Sequence, residues 1–212
     1  LHGALGIVSA LFNHGKTGNG SLVQTSLLEG QIASLCYMWP AMQATGVPPG
    51  RMGRGHPNFC PYQTFEARDA DVAIACLNDR MFKNLAITIG QPELADDPRY
   101  STHQVRGENC DELDARIADW TRGFTAAELD VRLDEHGVVS GPIYSIEDIA
   151  NDPHFQARDM IQRYQDDDLG DIAVPGFVPV LSETKSEIAW LGSSEVGAHN
   201  EEIYCGLLGM TQ

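Results

Sequence analysis

Basic residues are scarce in this chain, and that scarcity removes a class of partner. Lys and Arg number 14 against 30 Asp and Glu, a formal charge of −16 at pH 7. A nucleic-acid surface needs Lys and Arg to displace counterions from phosphates, so no nucleic-acid partner is expected. Long apolar runs are missing too. Nothing approaches the ~20 apolar residues of a bilayer span, and no basic-then-apolar leader precedes a cleavage site, so no membrane partner is expected. The C-x-x-C, H-x-x-x-H and H-E-x-x-H spacings that hold metals do not occur, and no metal is expected. Nor is there a G-x-S-x-G elbow; Ser140-Gly141 offers no serine nucleophile. The five cysteines, Cys36, Cys60, Cys76, Cys110 and Cys205, are odd in number and far apart. That usage predicts reduced thiols and a cytoplasmic location.

What is present is a globular composition. Hydrophobic residues make up 42% and charged residues 21% of 212 positions, enough for one large domain or two small ones. The chain opens mid-pattern on Leu1-His2-Gly3, as a fragment or processed product would. Leu1, Leu5, Val8, Leu11 and Phe12 recur at helical spacing, with Gly3, Ala4, Gly6, Ser9 and Ala10 between them. Small residues on several faces predict a buried helix with close partners, stopped by Gly15 and Gly18. Residues 21–27 read as a short strand, and 28–43 as a helix that Pro40 kinks or ends. Residues 45–61, rich in Gly and Pro, read as a linker. Beyond it, 62–66 and 71–77 read as a hairpin closed by Arg68-Asp69-Ala70-Asp71. Helices are predicted from Asp79, as cap, to Ile89, over 104–120, and over 125–136, where Thr125 and Glu128 make a capping box. A return strand is expected in 138–145 and a short helical stretch in 145–155. Asp166-Asp167-Asp168 reads as a solvated turn, 172–182 as extended chain, and 195–208 as a small helix.

Two motifs bear on chemistry. Residues 10–17, ALFNHGKT, fit a loose phosphate-loop pattern. A phosphate loop follows a strand and opens a helix, whereas here a helix precedes the glycine. Lys16 therefore reads as a charge at a helix C-terminus. The linker stretch Arg51-Met52-Gly53-Arg54-Gly55-His56-Pro57-Asn58-Phe59 is a basic island in an acidic chain. Its glycines allow a ligand close to the backbone, and its arginines fork onto phosphate or carboxylate. A flexible surface linker with incidental charge accounts for the same composition. His2 and His14 read as packing or surface residues.

Several stretches carry a family likeness in collinear order. They include Gly6-Ile7-Val8-Ser9-Ala10-Leu11 with Lys16-Thr17-Gly18-Asn19-Gly20, and then Leu22-Val23-Gln24-Thr25-Ser26-Leu27-Leu28-Glu29. Arg51-Met52-Gly53 through His56-Pro57 and Pro61-Tyr62 comes next, followed by Ala73-Ile74-Ala75-Cys76-Leu77-Asn78-Asp79. Asp97-Pro98-Arg99-Tyr100 with Arg106 and Asn109, then Gly137-Val138-Val139-Ser140-Gly141-Pro142-Ile143, extend the series. Gly197-Ala198-His199-Asn200-Glu201-Glu202-Ile203 falls near its end. No single piece is specific; the ordered set resembles the class III CoA-transferases of CaiB/BaiF type. That family includes formyl-CoA and carnitine-CoA transferases and alpha-methylacyl-CoA racemases.

The resemblance implies a mixed α/β and α+β fold, the C-terminal part of the class III CoA-transferase architecture. Residues 1–46 correspond to the end of a Rossmann-like large domain and 47–61 to a linker. Residues 62–145 correspond to a small α+β domain and 146–212 to a segment returning toward the large domain. It implies a homodimer of interlocked subunits. It also implies a reaction in which a carboxylate attacks an acyl-CoA thioester, becomes an aspartyl-CoA thioester, and yields CoA to a second carboxylic acid. The CoA thioester is a substrate, and no cofactor is held permanently. The family's nucleophilic Asp falls before the position matching Leu1, so no catalytic residue is expected in this chain, and the chain alone is expected to be inactive. The family's active-site loop matches Gly53, Arg54, Gly55, His56, Pro57 and Asn58, and backbone N–H groups within it would face negative charge on the thioester oxygen. The racemase branch has a catalytic Glu where this chain has Asn78. An amide cannot take an alpha-proton, which favours transfer over racemisation. The alternatives are a racemase or isomerase fragment, or a non-catalytic dimerisation or binding module.

Overall fold

The computed structural model describes every residue except Met52, Asp167 and Gln212. Alternation along one strand decides where the core forms. β1 (Tyr62–Glu66) and β2 (Asp71–Ala75) make an antiparallel hairpin with Phe65 opposite Val72. β3 (Val139–Pro142) pairs antiparallel with the other edge of β2, completing a three-stranded sheet of order β1-β2-β3. Residues two apart on a strand share a face, and Val72 and Ile74 are both fully buried. Three helices meet that face. α4 (Asp79–Thr88) brings Phe82 and Leu85, α6 (Cys110–Thr121) brings Leu113 and Ile117, and α7 (Ala126–Asp134) brings Leu129 and Leu133. Each such burial contributes about 1.5–3 kcal/mol. A 3₁₀ turn at Pro92–Ala95 and α5 (His103–Glu108) connect α4 to α6. Every member of the buried cluster falls between Cys60 and Val138.

Caps position these helices. Thr125 and Glu128 form the expected capping box on α7. Asn78, and not Asp79, caps α4: its side-chain oxygen accepts from the Met81 N–H at 3.0 Å. Asp79 is instead the first helical residue, with its carboxylate turned to Arg106. Asn78→Ala is expected to cost about 1 kcal/mol, read as a lower urea midpoint at unchanged slope.

Several expectations are corrected. Residues 21–26 form no strand; they run as irregular chain to Ser26, which caps α2 (Leu27–Ala33). A strand must share its N–H and C=O groups with a neighbour, and neither sheet reaches this segment. It lies instead along α1 (His2–Thr17): a Cβ at Gly6 would meet Val23 at 2.8 Å, and one at Gly3 would meet Thr25 at 3.4 Å. The small residues of α1 thus admit a neighbour on one side only. Leu5, Val8, Leu11 and Phe12 are 63–67% exposed, so the helix is not buried. It passes through Gly15 and stops at Gly18, whose φ is 73°.

The helix expected over 28–43 is broken into α2 and α3 (Met38–Thr45), with Cys36 at φ 47° between them. A proline ring clashes with the carbonyl four residues back. For Pro40 that residue is Cys36, where the break occurs, and Pro40 itself sits in the first turn of α3. The expected helix over 104–120 divides at Asn109 into α5 and α6. The stretch 145–155 divides into α8 (Ile146–Asn151) and α9 (Pro153–Ala157), because Asp152 precedes a proline and takes an extended conformation. β4 (Ile161–Asp166) and β5 (Gly170–Pro175) form a second antiparallel hairpin around the acidic turn. There Asp166 Oδ1 accepts from the N–H groups of Asp168 and Leu169 at 3.0 and 2.9 Å; Asp167 lies outside the described residues. Of the expected tail helix, Glu201–Leu207 is helical, and Leu208 N–H reaches five residues back to Ile203 C=O at 3.0 Å.

Candidate functional site

Gly53 turns the chain into the basic loop at φ 60°, a left-handed value that a side chain would strain. The loop then binds to itself and to β1. His56 N–H donates to Tyr62 C=O at 2.9 Å, and Asn58 N–H donates to His56 Nδ1 at 3.1 Å. Because Nδ1 accepts, the neutral imidazole carries its proton on Nε2. The His56 ring stacks on Tyr62 at 5.0 Å, and Phe59 lies 4.9 Å from both His56 and His103. His103 Nδ1 is buried without a hydrogen-bond partner among the described residues.

Arg106 anchors the end of the loop. It is fully buried; its Nε donates to Cys60 C=O at 3.1 Å, Nη1 to Tyr100 C=O at 2.8 Å and Nη2 to Asp79 Oδ1 at 2.7 Å. The guanidinium also lies over the Phe82 ring at 4.6 Å. A cation this deep is tolerated because three of its nitrogens are bonded and one face rests on an aromatic ring.

The loop, β1, α5 and α6 border an open cavity of about 740 Å³. Arg54, Gly55, His56, Pro57 and Asn58 line one wall, while Gly53 sits just outside it. Arg54 is tied by Nη1 to Asp71 Oδ2 at 2.9 Å, with 62% of its side chain exposed. An exposed pair of this kind contributes at most about 1 kcal/mol, so an anionic ligand can take the place of Asp71. The N–H of His56 is spent on β1 and that of Asn58 within the loop, which confines any oxyanion-binding role to the amides of 53–55.

Asp114 faces this wall from α6. It is wedged between Gln63, whose Nε2 donates to Oδ2, and two sulfurs: Cys110 Sγ is 3.4 Å from Oδ2 and Cys60 Sγ is 3.9 Å from Oδ1. Burial, with a smaller push from the Asp111 charge, raises the Asp114 carboxyl to about 7. Cys60 and Cys110 are joined in a disulfide with Cα atoms 5.8 Å apart, which corrects the expectation of reduced thiols at these two positions. The bond forms because Cys110 opens α6 against the loop end that Arg106 holds. Cys36, Cys76 and Cys205 are free, and burial pushes the Cys76 thiol up to about 12, leaving it unreactive. The ligand atoms of Cys60, Cys110 and Asp114 lie within 4.8 Å of one another. A metal needs thiolates, and here the two sulfurs are bonded to each other.

Asp114, Cys60, Cys110, Gln63 and His103 are the site residues that sequence reasoning missed. The one local signal was the spacing of Cys110 and Asp114, four apart and therefore on one helix face. Residues 10–17 belong to α1, so no phosphate loop forms, and Lys16 lies in its last turn over the Phe12 ring at 4.3 Å. His2 and His14 are exposed. Asp69 and Asp79 have structural tasks: Asp69 Oδ1 accepts from Ala126 N–H at 2.8 Å, and Asp79 pairs with Arg106.

A family model described as CoA-transferase family III matches residues 1–200. The chain is 42% identical over 210 residues to succinyl-CoA–D-citramalate CoA-transferase of Chloroflexus aurantiacus, covering 99% of this chain and 52% of the relative. It is 37% identical over 172 residues to acetyl-CoA:oxalate CoA-transferase of Acetobacter aceti, covering 81% and 43%. A CaiB/BaiF family protein from Brucella suis superposes with a TM-score of 0.75 at 30% identity, covering 96% of this chain and 52% of that one. The chain spans about half the length of the curated relatives it matches. Its mixed helix and sheet fold is that of the CaiB/BaiF proteins. With the family match running through nearly all its length, the chain belongs to CoA-transferase family III.

Proposed function

We propose that this chain is the C-terminal portion of an enzyme that moves CoA from an acyl-CoA thioester to a carboxylic acid. The family match over residues 1–200 carries the reading. The relatives named above transfer CoA to D-citramalate and to oxalate, both dicarboxylic acids, and we extend that acceptor class to this chain. The loop Gly53–Asn58 covers the reacting thioester. Amides of 53–55 face the developing oxyanion, and Arg54 exchanges Asp71 for an anionic group of the substrate. CoA enters and leaves as a substrate.

The division into 1–46, 47–61, 62–145 and 146–212 is supported by the buried cluster, which lies in 62–145 apart from Cys60 at the end of the linker. The nucleophilic carboxylate comes from sequence upstream of Leu1, and the chain alone is inactive. Asp69 and Asp79 are occupied structurally, and Asp114 lies against sulfurs and an amide with its proton partly retained at neutral pH. Racemisation is disfavoured because Asn78 is an amide engaged in capping α4. The protein forms a homodimer through apolar surface such as that of Leu5, Val8, Leu11 and Phe12. A clean monomer in analytical ultracentrifugation at micromolar concentration would count against the dimer.

The activity is tested by incubating succinyl-CoA with a panel of dicarboxylic acids. One sample holds the 212-residue chain, the other a chain extended upstream through the family's Asp. CoA thioesters are then separated by chromatography. The extended chain is expected to form the acceptor's CoA thioester, and the short chain none. Transfer by the short chain overturns the upstream nucleophile. No transfer by the extended chain across the panel overturns the substrate class.

A further inference from the structure

Two cysteines form part of the cavity wall, and the transfer reaction has no use for them. We propose that Cys60 and Cys110 are a redox-active dithiol–disulfide pair, open through the cavity to small disulfides and thiols, whose state sets how firmly the glycine loop is tied to α6. The proposal stands apart from the transferase reading.

Three observations support it. Both side chains line the cavity of about 740 Å³, and Cys110 is only half-buried, so a small reagent has a path to the sulfurs. The Asp114 carboxylate lies 3.4 Å from Cys110 Sγ and 3.9 Å from Cys60 Sγ, a position from which it takes a thiol proton. With its carboxyl raised to about 7, it does so near neutral pH. The thiolate is the attacking species. Cys110 is also the first residue of the twelve-residue helix α6, whose N-terminal amides favour a thiolate, with the Asp111, Glu112 and Asp114 charges opposing it.

The third observation concerns what the bond adds. Cys60 is held without it: Arg106 Nε donates to its carbonyl at 3.1 Å, and Cys76 N–H donates to the carbonyl of Pro61 at 2.8 Å. The disulfide therefore adds a tie from a fixed loop end to the first turn of α6. When it is reduced, the sulfurs separate to at least van der Waals contact. With the Cys60 backbone clamped, the displacement falls on Cys110, on the first turn of α6 and on the loop residues facing it.

The exchange balances with a low-molecular-weight disulfide such as oxidised glutathione. Asp114 accepts the Cys110 thiol proton, and the thiolate attacks one sulfur of the reagent. A mixed disulfide forms and one glutathione leaves, taking the proton. The Cys60 thiolate then attacks Cys110 Sγ and expels the second glutathione, which takes the Cys60 proton. Two protein thiols lose two electrons and two protons, and one glutathione disulfide becomes two thiols. A small dithiol reverses the sequence.

The test equilibrates the native chain in mixtures of oxidised and reduced glutathione at pH 7, alkylates free thiols and reads the masses of the Cys60 and Cys110 peptides. Hydrogen exchange of residues 53–59 is followed on the same samples. A reversible two-thiol conversion is expected, with loop exchange several-fold faster in the reduced state and β1–β2 unchanged. Asp114→Asn is expected to slow oxidation about tenfold or more. A Cys60→Ser, Cys110→Ser double variant should reproduce the reduced loop; should it fail to fold, the wild-type titration still decides. A pair that stays oxidised in native protein under excess dithiothreitol, or never oxidises, overturns the redox activity. Equal loop exchange in both states overturns the coupling to the loop.

Discussion

Arg106→Met is expected to lower the unfolding free energy by about 3 kcal/mol, whereas Asp79→Asn, whose amide oxygen still accepts from Nη2, costs about 1 kcal/mol. The asymmetry follows from where each partner sits. Arg106 is fully buried while 57% of the Asp79 side chain is exposed, so Asp79 regains water when its partner goes. The loss lies elsewhere. The carbonyls of Cys60 and Tyr100 lose their donor in the interior, at about 1–3 kcal/mol for each group left unsatisfied. Methionine keeps much of the volume against Phe82, so little of the effect is a cavity. Lysine does not rescue, because one ammonium cannot reach three acceptors arranged for a planar fork. Urea unfolding followed by far-UV circular dichroism measures the series. Equal losses for Arg106→Met and Asp79→Asn would mean that the ion pair, and not the two carbonyls, is what Arg106 serves. The loop should loosen in Arg106→Met as well, since the Arg106 clamp on the Cys60 carbonyl is one of the buried ties at its end, beside the Cys60–Cys110 disulfide and the Cys76–Pro61 backbone bond.

Local rules made the compact part of this chain legible. Val72 and Ile74 alternate, Thr125 and Glu128 are three apart, and β1 and β2 are joined by a short polar turn; each signal operates within a few residues. The errors fall where a more distant group decides. Asp79 reads as a cap from its type alone, but Arg106 draws its carboxylate away and Asn78 takes the task. The strand expected over 21–27 has the right alternation and no neighbour to pair with. The break at Cys36 was marked by Pro40, read as kinking or ending a helix when it lies in the first turn of the next, and the break at Asp152 by Pro153, read as interior to one helical stretch when it opens α9.

The site was half visible. The basic loop stood out because glycines and arginines are concentrated there against an acidic background, and Arg54 through Asn58 do share one wall. The opposite wall was not visible, because Cys60 and Cys110 are 50 residues apart and only the packing of α6 against β1 brings them together. Asp114 has the type of any surface helical carboxylate. Its chemistry comes from burial, which one sequence does not display.

That burial has a consequence for pH. Asp114→Asn is expected to be about as stable as wild type near pH 4 and more stable by about 1–2 kcal/mol near pH 8. The folded carboxyl titrates at about 7 and the unfolded one near 3.8, so between these values the folded chain binds the extra proton. Stability then falls as pH rises through this window, and the cost is fully present above 7. The full separation of the two values would give more; cavity water reaching the carboxylate reduces it. Asp97, Glu112, Glu128 and Asp148 are held below their ordinary range by hydrogen bonds, so their contribution is lost as pH falls below about 4, with the opposite slope. The difference between variant and wild type cancels those shared terms and isolates Asp114. Asparagine retains an oxygen to accept from Gln63, which keeps the Gln63 amide paired in both proteins. Urea unfolding at several pH values, under conditions that keep the disulfide intact, gives the two profiles. If they run parallel, Asp114 ionises at its ordinary value and the cavity is as polar as bulk water. If they diverge as expected, the carboxylate beside Cys60 and Cys110 holds its proton at neutral pH only loosely, as a base that must accept a thiol proton and return it requires.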